Sequence, residues 1–172
     1  MVDVKYVGKE TILSPVDIIV SQSDLEGIII YANPIFYKIA GYNYGELVGK
    51  NHNIIRHEEM PKSIFKLLWE ELKNKKEVSC LLKNRCKDGG FYWVFAYIRP
   101  SFNRDGTVRN YISTRRVASE KAKSIIEPVY KRLLTIEKEY GVASAEERFK
   151  EFINKNRQRT QSDNEVIYNI QY

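Results

Sequence analysis

Cysteine is scarce in this sequence: two in 172 residues, Cys80 and Cys86. That excludes a disulfide framework and fits a reducing compartment. Histidine is equally scarce, with only His52 and His57. Together these are too few, at unsuitable spacing, for a zinc site. Long apolar runs are missing. Ile28 to Ala32 is typical of the longest, far short of the ~20 residues of a membrane span. Met1 to Lys9 lacks the apolar stretch of a secretory signal, so the chain reads as cytoplasmic with no direct membrane span. No Walker glycine loop, nucleophile–base pair or paired-carboxylate pattern is present, so nothing points to an enzyme.

What is present is an ordinary globular composition, 43% hydrophobic and 29% charged. The 28 basic and 22 acidic residues leave a charge of +6. These charges are spread over every third of the chain, as on a solvated surface. The basic stretch from Lys150 to Arg159 has no helix-turn-helix pattern beside it, so no nucleic-acid partner is expected.

Three zones follow from composition: 1–14, a short N-terminal cap; 15–118, alternating strands and helices; and 119–172, helical with a polar tail. The last zone holds one proline, Pro128, and one glycine, Gly141. In the middle zone the first strand is read at Ile18 to Gln22 and the second at Ile28 to Ala32, joined by Ser23–Gly27 as a hairpin. Asn33-Pro34 is an N-cap followed by a first-turn proline, opening a helix that ends at Gly41. Tyr44 to Val48 reads as a further helical turn and Asn51 to Met60 as irregular. Pro61 opens a longer helix to about Lys75, with Ile64, Phe65, Leu68, Trp69 and Leu72 on its apolar stripe. Three strands follow, Val78 to Arg85, Phe91 to Arg99 and Val108 to Val117, joined by Asp-Gly-containing loops. The order implies an α+β fold: a five-stranded antiparallel sheet, helices inserted after strand two, and a C-terminal helical extension.

The strand from Phe91 has two apolar faces. Phe91, Trp93, Phe95 and Tyr97 share one, and Tyr92, Val94, Ala96 and Ile98 the other. A one-sided sheet would be polar on one of them, so both sides need a cover. A stripe from Ala122 through Ile126 to Leu133 marks a helix of about 20 residues, which Pro128 should bend or break. Ala143 to Lys155 is a second amphipathic helix. These helices, a second copy or another protein could supply the outer cover.

The motifs Tyr31-Ala32-Asn33, Ala40-Gly41-Tyr42 and Glu46-Leu47-x-Gly49 resemble those of PAS domains. The string His52-Asn53-Ile54-Ile55-Arg56-His57-Glu58-Glu59-Met60-Pro61, with Trp69 and Tyr92-Trp93-Val94, is similar to the FAD-binding PAS domain of bacterial aerotaxis receptors. The resemblance covers about three quarters of the chain, through Glu127-Pro128-Val129-Tyr130. It implies a PAS fold and non-covalent FAD. It also implies cofactor contacts at Asn33, His52, Arg56, His57, Trp69, Asn84, Tyr92 and Arg115. Asn84 offers a donor and an acceptor to a ring edge. Arg56 and the two histidines suit a diphosphate. Arg115 stands where light-sensing relatives carry a glutamine. Turned inward it needs an acceptor such as a charged ring; turned outward it joins Arg116 in a basic run. Those relatives also carry a reactive cysteine where this chain has His52, so a cysteinyl adduct there is not expected.

The expectation is therefore a redox sensor of energy taxis, a homodimer that passes the FAD state to a membrane-bound methyl-accepting chemoreceptor with a HAMP module. A haem- or small-ligand-binding PAS signalling module and a flavin oxidoreductase are the alternatives.

Overall fold

The computed structural model describes residues 8–157 and 161–172. Seven residues of the expected N-terminal cap and the end of the Lys150–Arg159 stretch lie outside the described residues. Five strands form one antiparallel sheet: β1 (Ile19–Ser23), β2 (Ile29–Ala32), β3 (Val78–Arg85), β4 (Phe91–Phe102) and β5 (Val108–Val117). Their order is β2-β1-β5-β4-β3. Helices α1 (Pro34–Ala40) and α2 (Lys62–Lys73) lie between β2 and β3, with a 3-10 turn at His52–Ile55. Helices α3 (Glu120–Tyr140), α4 (Val142–Asn156) and α5 (Asp163–Gln171) follow the last strand.

Local chemistry sets the boundaries. Asp24 closes the β1–β2 hairpin by accepting the Glu26 and Ile28 amides, at 3.0 and 2.8 Å. Gly27 sits in the turn at φ 83°, and a Cβ there would lie 3.2 Å from the Trp69 ring. Asn33 caps α1 by accepting from Phe36, and Gly41 ends it in the left-handed region. Between Tyr44 and Val48 no helix forms. Gly45 and Gly49 both take positive φ, and the Glu46 carboxylate reaches back to the Asn43 amide at 2.7 Å; the segment is a pair of turns. β4 continues past Arg99 through Pro100, which pairs only with Tyr111 of β5. Beyond the end of β3 its missing N–H leaves no ladder bond open.

Register places Ile19, Arg115, Ala96 and Cys80 in one row across the sheet. The next row is Ser21, Ser113, Ile98 and Val78. These rows face α1 and α2. The opposite face carries Trp93 and Phe95, and helices of the same chain cover it. Tyr130 of α3 stacks on Trp93 with ring centroids 6.3 Å apart, and its hydroxyl donates to the Leu81 carbonyl at 2.8 Å. Tyr168 of α5 and Tyr172 just beyond it meet Phe95 edge-on. The source of the outer cover, open in the sequence, is this extension.

Two C-terminal expectations change. Pro128 does not break α3, which runs unbroken for 21 residues. Pro128 and Ser124 are both exposed, so water can satisfy the carbonyl that the ring frees. The polar tail is in part a helix. Ser162 and Glu165 form a capping box, and Val166, Ile167 and Ile170 are buried. At its far end Gln171 is inserted between β5 and α3. Its amide oxygen accepts from Ser119 N–H at 3.0 Å and its amide nitrogen donates to the Val117 carbonyl at 3.1 Å.

Replacing Tyr130 by phenylalanine removes the donor to the buried Leu81 carbonyl. The variant should lose about 1–2 kcal/mol in urea unfolding with an unchanged slope. An unaltered midpoint would show that this bond does not hold α3 to the sheet.

Candidate functional site

The inner face of the sheet, α2 and the 51–57 loop enclose a cavity of about 200 Å³. Ile55, Leu68, Leu72 and Leu82 give it apolar walls. Ser21, Asn84, Ser113, Arg115 and His52 make the polar end, Arg56, Phe65, Trp69 and Tyr111 lie on the lining, and Glu26 is on it too. Trp69 meets Tyr111 edge to face at 5.4 Å, and its ring leans over Gly27.

Arg115 dominates the electrostatics. It is only 2% exposed. Its Nε donates to Ser113 Oγ at 2.9 Å and its Nη2 to Ser21 Oγ. The guanidinium lies 4.8 Å over the Phe36 ring. None of its bonds is to a carboxylate, and Nη1 makes no hydrogen bond of normal geometry, the nearby Tyr92 hydroxyl offsetting part of the cost of burial. Burial lowers its pKa below that of a free guanidinium, yet arginine keeps its proton. An unpaired buried cation costs several kcal/mol. The cavity end therefore carries a positive charge to which no carboxylate is bonded.

Two further polar atoms near Arg115 lack partners. Asn84 Nδ2 and the Tyr92 hydroxyl are both buried and unbonded, and the two residues stand opposite each other on β3 and β4. Burial raises the Tyr92 pKa above that of a free phenol, an effect the Arg115 charge partly offsets. The end of the cavity thus gathers two donors, Arg115 Nη1 and Asn84 Nδ2, and a hydroxyl, none with a bond of normal geometry.

His52 Nε2 lies 3.3 Å from Arg115 Nη2 and 3.1 Å from Ser21 Oγ. A guanidinium can only donate, so that contact is satisfied by the Nδ1–H tautomer. Burial, and secondarily the Arg115 charge, push the His52 pKa down to about 3. His52 is thus neutral at physiological pH. Cys80, in the Arg115 row, is pushed up by burial to about 12 and stays a thiol.

The structure brings His52, Arg56, Trp69, Asn84 and Arg115 to one cavity, with Tyr92 behind Asn84. It does not bring Asn33 or His57 there. Asn33 is spent on structure, accepting from Val20 and Phe36 and donating to the Ile18 carbonyl. His57 is buried against the edge of Phe91, accepting the Glu59 amide on Nδ1 at 3.1 Å. The Arg56–Asn84 bridge lays this part of the loop along the edge strand, so His57 lands beside Phe91. Sequence reading missed Ser21 and Ser113, which hold Arg115. Ser113 lies two residues before it on one strand face, a readable signal. Ser21 becomes visible only through the β1–β5 register.

A sheet cupping a cavity, backed by C-terminal helices, is the architecture of a sensor domain. The PAS fold model matches residues 29–115, half of the chain, and the chain belongs to the PAS family. It is 39% identical over 115 residues to the aerotaxis receptor of Escherichia coli K12, covering 67% of this chain and 22% of that protein. It is 29% identical to the nitrogen fixation regulatory protein of Klebsiella oxytoca, covering 62% and 21%. The chain thus spans about a fifth of the length of these relatives. Among solved structures, the light state of the Aureochrome1 LOV domain superposes with TM-score 0.56 at 20% identity, covering 70% of this chain and 91% of that one. A light-oxygen-voltage domain studied with a flavin analogue gives 0.54 at 23% identity, covering 71% and 85%. Among the described residues no helix is long and apolar enough to cross a membrane.

The low His52 pKa fixes a pH dependence. Between about pH 6.5 and 3 the unfolded chain binds a proton at His52 that the folded chain does not. Stability therefore falls as pH is lowered through that window, by up to about 1.4 kcal/mol per unit from this group. Above pH 6.5 the group contributes nothing. Urea unfolding of His52→Asn against the parent from pH 7 to 4 should show a shallower acid decline; parallel curves would contradict it.

Proposed function

We propose that the chain is a redox sensor of energy taxis that holds FAD non-covalently in the cavity and hands the redox state to a membrane-bound methyl-accepting chemoreceptor with a HAMP module. The observation that carries this reading is the buried Arg115 with its free Nη1, beside the free Nδ2 of Asn84. Both are donors without a bond of normal geometry; the neutral Tyr92 hydroxyl is beside them, and no carboxylate bonds either. An electron-rich ring edge with carbonyl and imine atoms meets that need, while the leucine-lined walls suit the flat apolar body of such a ring. Arg56, half-buried at the lining, is the cation available to a diphosphate. Similarity to an aerotaxis receptor supports energy taxis as the purpose.

Bound flavin supplies an electron-accepting ring. The chain's own residues do the rest. Arg115 and Asn84 hold the ring edge, and His52, Ser21 and Ser113 fix the direction of the guanidinium. Arg115 lies two residues before the end of β5, and Ala118 and Ser119 lead from there into α3. A change in what Arg115 must bond is a change at the root of the C-terminal helices. The sensor acts as a homodimer in the cytoplasm, at the inner face of the membrane through its receptor, and performs no turnover.

The purified protein should be yellow, with near-ultraviolet and blue flavin bands and FAD released on denaturation. Asn84→Ala and Arg56→Ala should each weaken FAD binding about tenfold or more. Protein that remains colourless after incubation with FAD would overturn the reading. A sharp Soret band would replace it with haem, and sustained NADH oxidation with an oxidoreductase.

A further inference from the structure

Helix α2 forms one wall of the cavity, yet its first turn lacks a cap of its own. The residue at the cap position is Pro61, which makes no side-chain capping bond. Exposed backbone donors at a helix start need an acceptor. Here it comes from far along the chain. The Glu137 carboxylate, near the end of α3, accepts from the Lys62 amide at 3.0 Å and the Ser63 amide at 2.7 Å through its two oxygens. The Ser63 hydroxyl adds a third bond at 2.7 Å. A carboxylate at a helix N-terminus is also favoured by the helix dipole.

The capped turn is the one that holds Arg56. The Arg56 guanidinium donates to the Met60 carbonyl at 3.3 Å and lies 4.3 Å over the Phe65 ring. Met60 stands just before Pro61, and Phe65 one turn into α2. Both supports of the cavity arginine therefore belong to the turn that Glu137 fixes. The negative charge of Glu137 also reaches Arg56. A second tie joins the same helix to the extension: Lys66 of α2 pairs with the buried Glu146 of α4 at 2.6 Å.

We infer that Glu137 is a positioning residue for the ligand site: by capping α2 from α3 it sets Arg56 in the cavity, and so couples ligand binding to docking of the C-terminal helices. The ligand half of this inference rests on the FAD reading above. Coupling of this kind is reciprocal. Whatever strengthens the cap favours ligand, and ligand that draws on Arg56 alters the hold on α3.

The test uses the full chain and two measurements. The first is amide exchange without FAD, where E137A should speed exchange at Lys62 and Ser63 by about tenfold or more; unchanged rates would overturn the cap. The second is FAD affinity, by quenching of FAD fluorescence, in a cycle of E137A, R56A and the double variant. E137A should weaken binding about three- to tenfold, and the double variant should be no weaker than R56A alone. Additive losses would overturn the positioning role, because general loosening adds to the loss of Arg56. E137Q, which keeps one acceptor oxygen, should recover at least half of the lost affinity. If E137A does not fold, the same cycle with E137Q decides, the expected loss being about twofold and again absent on the R56A background. A parent protein that takes up no FAD while E137A still accelerates exchange would sink the flavin reading and leave the cap standing.

Discussion

The structure is organised around one cation that the chain does not neutralise. Arg115 is inside the sheet's cup, held by two serine hydroxyls and an imidazole, with no acid among its bonded partners. Ordinary cores avoid this, because desolvating a guanidinium without a counter-charge works against folding. The surrounding residues accommodate it in three ways. Hydroxyl oxygens take two of its donors, the Phe36 ring lies beneath its plane, and His52 is kept neutral so that no second charge appears 3.3 Å away. The remaining group, Nη1, makes no bond of normal geometry, and it is on this group that the proposed ligand site rests.

Around this cation the two faces of the sheet have different tasks. The inner face carries the cavity, with Ser21, Ser113, Arg115 and Asn84 among its lining. On the outer face Trp93 and Phe95 are covered by α3 and α5. Helix α2 serves both. One side carries Phe65, Leu68 and Trp69 to the cavity, while its start and its Lys66 are tied to the extension by Glu137 and Glu146. The sensor core and its C-terminal helices are therefore mechanically continuous by two routes, through β5 into α3 and through α2 into α3 and α4.

Most of this fold was legible because its punctuation is chemical. β3 and β5 begin and end where the sequence predicts, bounded by Asp-Gly loops and polar turns. Asn33-Pro34 and Gly41 delimit α1 for the same reason. What was not legible depends on long-range placement. Helix α5 has too few apolar residues to stand out against a polar tail, and its place is fixed by Phe95, far away in sequence. Tyr44 to Val48 has helical spacing, but two glycines in the left-handed region and a short-range carboxylate bond make turns. Placement on the cavity was readable where a residue type had no other use, as with Arg115 and Asn84. It was not readable where a local role was already complete: Asn33 spends every polar atom on the backbone, and His57, five residues from His52 in sequence, packs on Phe91 instead.

The aromatic cover has a consequence for any protein that would recognise this sheet from outside. Trp93 and Phe95 are capped by helices tethered through Ala118 and Ser119, at an effective concentration of roughly millimolar or more. An incoming chain competes with that resident. Every ~1.4 kcal/mol of helix docking lowers its apparent affinity tenfold. Association through this face is consequently gated by the fraction of molecules whose helices have lifted, so a small change in their docking is read out as a multiplied change in occupancy.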